Sequence, residues 1–281
     1  KEGPGGKPLL STQGVFPLVF PPVPLTIPPD PRRSMDYPTD LIPPEDLWIA
    51  FGGGDFAEMG KKLLRHFIDH AGLAPHERVL DVGCGAGRAA VPLTAYLDER
   101  GSYRGFDTYP FGVDWCREHI TPRYPRFVFE QAGVFNKLYN PYGETPASEF
   151  RFPYEDASFD CIVASSVFTH MLPADMTRYF AEMARVLAPG GRSFITYYLL
   201  GDESKSLLGE GGREPSFKHR YGSFYVEDPD AMEDAVGYEE SFVRTMYARE
   251  NIEIARVVPG SWCGRSGMDN GQDIVVGRKE N

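Results

Sequence analysis

The sequence predicts an α/β fold built on an open, mostly parallel sheet. Three observations predict it. The run Arg78-Val79-Leu80-Asp81-Val82 leads directly into Gly83-Cys84-Gly85-Ala86-Gly87-Arg88, the pattern of a strand, a tight turn and a helix start. Twenty residues beyond Gly87, Asp107 closes a second apolar run, Tyr103-Arg104-Gly105-Phe106-Asp107. Downstream, short apolar runs keep alternating with segments of helical periodicity, as βα units require.

The elements follow in chain order. Residues 1–46 form a proline- and glycine-rich arm with Pro21-Pro22, Pro28-Pro29 and Pro43-Pro44, where missing backbone donors exclude helix and central strand. Apolar residues between Val15 and Ile27 are too many for a disordered tail, so the arm is expected to lie extended on its own surface or on a partner subunit, giving a homo-oligomer. The remaining domain, 47–281, opens with a Gly52-Gly53-Gly54 hinge or lid. A helix capped by Asp55 follows, with Phe56, Met59, Leu63, Leu64, Phe67 and Ile68 at helical spacing and Gly72 at its end. After the glycine loop, Pro92 requires the next helix to begin near Arg88 or Ala89. Helix Phe111 to Ile120 and a short third strand at Phe127-Val128-Phe129 come next. Residues 131–158 form a long connection of the kind that usually serves function. Strand four spans Phe159 to Ser165. A helix beginning at Pro173 buries Met176, Tyr179, Phe180, Met183, Val186 and Leu187. The turn Ala188-Pro189-Gly190-Gly191 leads into strand five, Ser193 to Leu199. A polar insert at about 201–237, a helix from Tyr238 to Glu250, strand six at Ile252 to Val258 and strand seven at Gln272 to Val276 complete the chain; the last two strands lack a helix between them and suit an antiparallel edge hairpin.

Composition narrows the function. Hydrophobic residues at 42% and charged residues at 25% suit one sizeable core. A net charge of −11 repels a phosphate backbone, which argues against nucleic acid as partner. No apolar run reaches the roughly 20 residues needed to span a bilayer. The cysteines, Cys84, Cys116, Cys161 and Cys263, form no C-x-x-C pair; they read as reduced thiols of a cytoplasmic protein, and no metal site is assigned.

The glycine loop carries the chemistry. Glycine lets a ligand approach the backbone, and free N–H groups at a helix start favour electron-rich atoms. Asp107, ending strand two, is placed to accept hydrogen bonds from two ribose hydroxyls. Gly85-Ala86-Gly87-Arg88-Ala89-Ala90 also satisfies the weaker G-x-G-x-x-G/A dinucleotide pattern, so a nicotinamide-dependent reductase is the competing enzyme class.

Asp81 before the loop separates the two readings: D-x-G-x-G-x-G resembles motif I of class I S-adenosylmethionine (SAM)-dependent methyltransferases. Phe152 to Asp160 resembles the family's entry to strand four, and Arg185-Val186-Leu187-Ala188-Pro189-Gly190-Gly191 its turn before strand five. The resemblance covers about Phe51 to Gly277. It implies a Rossmann-like seven-stranded sheet of order 3-2-1-4-5-7-6, with helices on both faces and strand seven antiparallel. It also implies SAM as cofactor, held by Asp81, Gly83, Cys84, Gly85, Gly87, Arg88, Asp107 and Ser165. Ser166 to Met171, and Gly260 to Arg265 with Gln272-Asp273-Ile274, are similar to bacterial sugar and secondary-metabolite methyltransferases, implying a small-molecule acceptor such as a glycan, a glycoside or a secondary metabolite, methylated on a hydroxyl. The acidic adenine contact that many relatives carry after strand three is missing: Gln131, Ala132 and Gly133 stand there.

His170, just beyond strand four at the ligand-binding edge, is the candidate general base. Tyr197, Tyr198, Tyr221, Trp262 and Arg265 are candidates for the acceptor wall, with at least one of the adjacent tyrosines assigned to the core instead. A non-catalytic SAM-binding scaffold is the third reading.

Overall fold

The computed structural model describes residues 39–49, 54–209 and 215–280. The expected arm therefore lies outside the described residues up to position 38, as do Gly52 and Gly53 of the expected hinge and residues 210–214 of the insert. A 3₁₀ turn at Thr39–Leu41 buries Leu41, and α1 (Glu45–Trp48) follows.

The core is a sheet of seven strands. In chain order the elements are α2 (Phe56–Ala71), β1 (Arg78–Val82), α3 (Ala90–Tyr96), β2 (Ser102–Asp107), α4 (Pro110–His119), β3 (Phe127–Gln131), β4 (Phe159–Ala164), α5 (Pro173–Val186) and β5 (Leu187–Tyr197). β6 (Leu199–Leu200), α6 (Asp202–Gly209), β7 (His219–Tyr221), β8 (Phe224–Val226), β9 (Val236–Glu239), α7 (Glu240–Arg249), β10 (Ile252–Val258) and β11 (Asp273–Lys279) follow. The large sheet runs β10-β11-β5-β4-β1-β2-β3, with β11 antiparallel to both neighbours. With β11 and β10 as strands seven and six, this is the order 3-2-1-4-5-7-6. Among the described residues no helix is long and apolar enough to cross a membrane.

Strand alternation sorts the side chains into two cores. Leu80, Val82, Ile162, Ala164, Ile195 and Tyr197 pack on one face with Met176, Phe180 and Met183 of α5 and Met246 and Tyr247 of α7. Val79, Cys161, Val163, Phe194, Ile274 and Val276 pack on the other with residues of α2, α3 and α4. This parity later decides which β5 residues can face a ligand.

Local chemistry places the helices. Asp55 caps α2 by accepting the Glu58 N–H at 2.9 Å, and Gly72 ends it at φ +64°. Pro92 sits in the first turn of α3, where its missing donor costs nothing. Two segments differ from expectation. The helix expected from Tyr238 begins at Glu240, because Val236–Glu239 are drawn into a second, four-stranded sheet of order β6-β9-β8-β7 formed by the insert and its two flanks. β5 begins at Leu187 rather than Ser193, and its Pro-Gly-Gly segment is absorbed as an irregularity in the β4–β5 register.

α2 sits directly on the glycine-loop segment. A Cβ at Gly60 would lie 2.6 Å from the Arg88 carbonyl oxygen, inside any real contact distance. Gly60→Ala would gain about 1 kcal/mol of helix propensity but meet an overpacking cost of about 1–3 kcal/mol. Urea denaturation should therefore show a net loss of stability; a stabilised variant would mean that α2 stands off the loop.

Candidate functional site

The C-terminal edge of the sheet opens into a cavity of about 830 Å³. Its floor is the turn after β1. The Gly83 and Cys84 N–H groups donate to the Phe106 carbonyl at 2.9 and 3.1 Å, and the Gly85 N–H donates to Asp107 Oδ2 at 2.7 Å. The Tyr109 N–H donates to Asp107 Oδ1 at 2.9 Å, so both carboxylate oxygens are anchored. Gly83 has φ +79°, and a Cβ there would strike Val167 Cγ2 at 2.4 Å; only glycine fits.

Asp81, Gly83, Cys84, Gly85, Arg88, Asp107 and Ser165 all line this cavity. Gly87 does not; a side chain there would point at Cys116 Sγ, 2.9 Å away, so its part is to shape the turn. The Arg88 guanidinium lies 5.6 Å from the ring centroids of both Trp48 and Phe56, which tie α1 and α2 to the loop.

The side walls come from distant segments. After β4 the chain turns sharply at Ser166, a non-glycine residue at φ +59°, and enters a short 3₁₀ helix, Phe168–His170. His170 lines the cavity, and its Nδ1 lies 3.0 Å from the Glu233 carbonyl oxygen, contributed by the insert. A carbonyl only accepts, so Nδ1 carries the hydrogen of the neutral ring and Nε2 keeps the lone pair. Tyr198 and Trp262 also line the cavity, their rings 5.2 Å apart. Met59, Lys62, Leu63 and His66 of α2 line it as well.

Three residues expected on the acceptor wall are elsewhere. Tyr197 is fully buried on the opposite face of β5, with its hydroxyl directed at that of Tyr247, 3.4 Å away; strand parity that exposes Tyr198 buries Tyr197. Tyr221 is 41% exposed on β7 of the small sheet, stacked on Phe224. Arg265 bridges Asp273 at 3.0 Å and Glu203 at 2.9 Å, structural ion pairs rather than a ligand contact.

The arrangement also holds residues to which sequence reasoning assigned no role in the site. Asp273 is buried and accepts from the Leu199 and Gly260 N–H groups, the Trp262 indole and Arg265, which orders the 259–272 loop. Its signal was an acidic residue inside the apolar run of β11. Thr196 and Gln272 line the cavity too; Thr196 could have been found from its parity with Tyr198.

Burial governs the ionisable groups. It pushes the Asp81 carboxyl up to about 7, opposed by the Tyr103 hydroxyl that donates to Oδ2 at 2.7 Å and reinforced by the charge of Asp107. Burial raises Asp107 as well, against the N–H groups of Tyr109 and Gly85. The Cys84 thiol is pushed well above its ordinary range by burial, which keeps it protonated and unreactive. All four cysteines are buried and free.

Comparison with known proteins adds the family. Residues 80–195 match the family model described as a methyltransferase domain. The chain is 24% identical over 186 residues to sterol 24-C-methyltransferase erg6 of Schizosaccharomyces pombe, covering 66% of this chain and 43% of that protein. It is 28% identical over 139 residues to methyltransferase GfsG of Streptomyces halstedii, covering 50% of this chain and 44% of that one. The chain thus spans less than half the length of these curated relatives. In structure it resembles the [4+2]-cyclase SpnF, with a TM-score of 0.53 at 17% identity, covering 86% of this chain and 93% of the other. Residues 80–195 thus match a methyltransferase domain, on a sheet of Rossmann-like order.

The Asp81 carboxyl makes a pH-dependent contribution with a definite sign. Its folded pKa, about 7, exceeds the ordinary 3.8. The stabilisation carried by the protonated form is therefore complete below the ordinary value and lost as pH rises through the folded one. At roughly 1.4 kcal/mol per unit, the loss across that window is about 4 kcal/mol. Asp81→Asn keeps an acceptor for Tyr103 and cannot ionise. Urea denaturation at a series of pH values should show its stability advantage over the parent growing toward neutral pH; a constant difference would show that Asp81 is already ionised in the folded protein.

Proposed function

We propose that this methyltransferase domain binds SAM over its glycine loop and methylates a hydroxyl oxygen of a small-molecule acceptor, such as a glycan, a glycoside or a secondary metabolite. The observation that carries the reading is the convergence of the anchored Asp107 carboxylate and a histidine of fixed tautomer on one cavity. The floor fits a nucleoside: Gly83 and Gly85 keep it free of side chains, and Asp107 offers acceptors to ribose hydroxyls. Asp81, Cys84, Arg88 and Ser165 complete the cofactor contacts, and Gly87 shapes the turn. Tyr198 and Trp262 form the acceptor wall.

When bound, SAM supplies a methyl group already activated on a sulfonium. The chain's own work is alignment and proton transfer. His170 accepts the hydroxyl proton at Nε2 while Nδ1–H stays on the Glu233 carbonyl, which holds the ring and stabilises the imidazolium that forms. The methyltransferase-domain match and two curated methyltransferase relatives support transfer over hydride chemistry. The acceptor atom differs among such proteins, one relative being by name a C-methyltransferase. The reading places the enzyme in the cytoplasm, in keeping with four free thiols.

Two variants test it. Asp107→Ala should weaken SAM binding by about 1.5–3 kcal/mol in calorimetry, the range for a hydrogen bond to a charged group; parent-like affinity would refute the ribose assignment. His170→Ala should bind SAM as the parent does but lose about 10²–10⁴-fold in single-turnover methylation. The acceptor is first identified by incubating the parent with SAM and glycosides, phenols and amines, with mass detection of the methylated product. Full turnover by a folded His170→Ala protein would reassign the histidine to packing.

A further inference from the structure

Ser166, Thr196, Tyr198 and Gln272 come from three separate segments and meet at one corner of the cavity. The Ser166 N–H donates to Thr196 Oγ1 at 2.7 Å, and the Thr196 hydroxyl donates to Gln272 Oε1 at 2.6 Å. Gln272 Nε2 donates to Ser166 Oγ at 2.9 Å and toward the Tyr198 hydroxyl oxygen at 3.4 Å. This amide orientation satisfies both N–H groups and the Thr196 hydroxyl. Reversing it would leave one N–H and the Thr196 hydrogen without a partner in the cluster.

The polarity of the cluster has a consequence for ligands. Because Gln272 donates to both hydroxyl oxygens, the hydroxyl hydrogens of Ser166 and Tyr198 are not used inside it. Both are set to donate into the cavity. Ser166 reaches this position through a left-handed backbone, a strained conformation for a non-glycine residue, and is held by its N–H bond to Thr196. Tyr198 is held by Phe217 and Trp262, each 5.2 Å from its ring.

We propose that Gln272 is a positioning residue that sets Ser166 and Tyr198 as paired hydrogen-bond donors to a carboxylate or carbonyl oxygen of the methyl acceptor; this rests on the methyl-transfer reading above. The charges agree. Lys62 of α2 lines the same cavity, with His66 beside it paired to Asp269 at 3.2 Å, whereas the carboxylates that line the cavity lie elsewhere: Asp81 and Asp107 at the cofactor floor, Asp175 and Glu233 on the side of His170. The Trp262 ring beside Tyr198 offers a flat apolar surface, so an acyl oxygen on a planar framework is the acceptor feature that fits.

The test uses the full chain loaded with S-adenosylhomocysteine and three matched probes: benzoate, benzyl alcohol and benzylamine. Calorimetry on the parent should rank benzoate first and benzylamine last. Gln272→Glu is nearly isosteric, but its carboxylate only accepts, so it draws both hydroxyl hydrogens to itself and adds a negative charge. It should lose benzoate affinity by about tenfold or more and bind benzylamine better, with S-adenosylhomocysteine affinity unchanged. The added charge by itself also disfavours benzoate, so the uncharged Tyr198→Phe variant must show the same selective loss, whereas a merely structural role would weaken all probes together there. If Gln272→Glu fails to fold, Tyr198→Phe decides: it removes one donor and should weaken benzoate but not benzylamine. An unchanged ranking in a folded variant, or no preference for benzoate in the parent, overturns the inference while leaving cofactor binding intact. Failure of the parent to bind S-adenosylhomocysteine overturns the cofactor reading, and the inference falls with it.

Discussion

The hydrogen bond from the Gly85 N–H to the Asp107 carboxylate is the contact on which the site depends. It joins the turn after β1 to the end of β2, and with the Gly83 and Cys84 donations to Phe106 it holds the glycine loop open at the sheet edge. The arrangement is expensive. Asp81 and Asp107 are both buried, and the charge of Asp107 raises the Asp81 carboxyl. Hydrophobic packing on both faces of β1 and β4 offsets that penalty. A ligand that brings hydroxyl donors or positive charge to these carboxylates would reduce the cost of holding them buried.

The remaining walls are assembled from parts far apart in the chain, and each has its own anchor. Asp273 collects four donors and, paired with Arg265, fixes the loop that carries Trp262 and Gln272. The close approach of Gly60 to the Arg88 carbonyl seats α2 as the facing wall. The insert contributes to a small sheet of its own and delivers the Glu233 carbonyl to His170, so a segment that looks peripheral determines which ring nitrogen carries the hydrogen.

The fold does not by itself decide the reaction. A chain named a [4+2]-cyclase shares this architecture. What distinguishes one chemistry from another is the set of groups that face the cavity: here a histidine with a free Nε2, a hydroxyl pair ordered by an amide, and a mixed apolar and basic face on α2. Apart from the α2 face, those groups sit on the turns after β4 and β5 and in the loop before β11, where the sheet edge leaves side chains free of core packing.

Much of this is legible in the amino-acid sequence itself. The glycine loop, the position of Asp107, the Asp55 and Gly72 caps of α2 and the early placement of Pro92 in α3 are local signals, set by backbone sterics and hydrogen-bonding capacity within a few residues. Strand identity follows from apolar runs, and the sheet order from the resemblance those runs carry. Tertiary structure alone decides the rest. Tyr197 and Tyr198 are equivalent in composition, and strand parity sends one under α7 and the other into the cavity. Arg265 has the chemistry of a ligand contact, but Asp273 and Glu203 claim it. Ser166 and Gln272 stand 106 positions apart, and no short-range pattern links them. Sequence periodicity reports which way a side chain points from its own element; what it meets there is set by which other elements the sheet brings to the same edge.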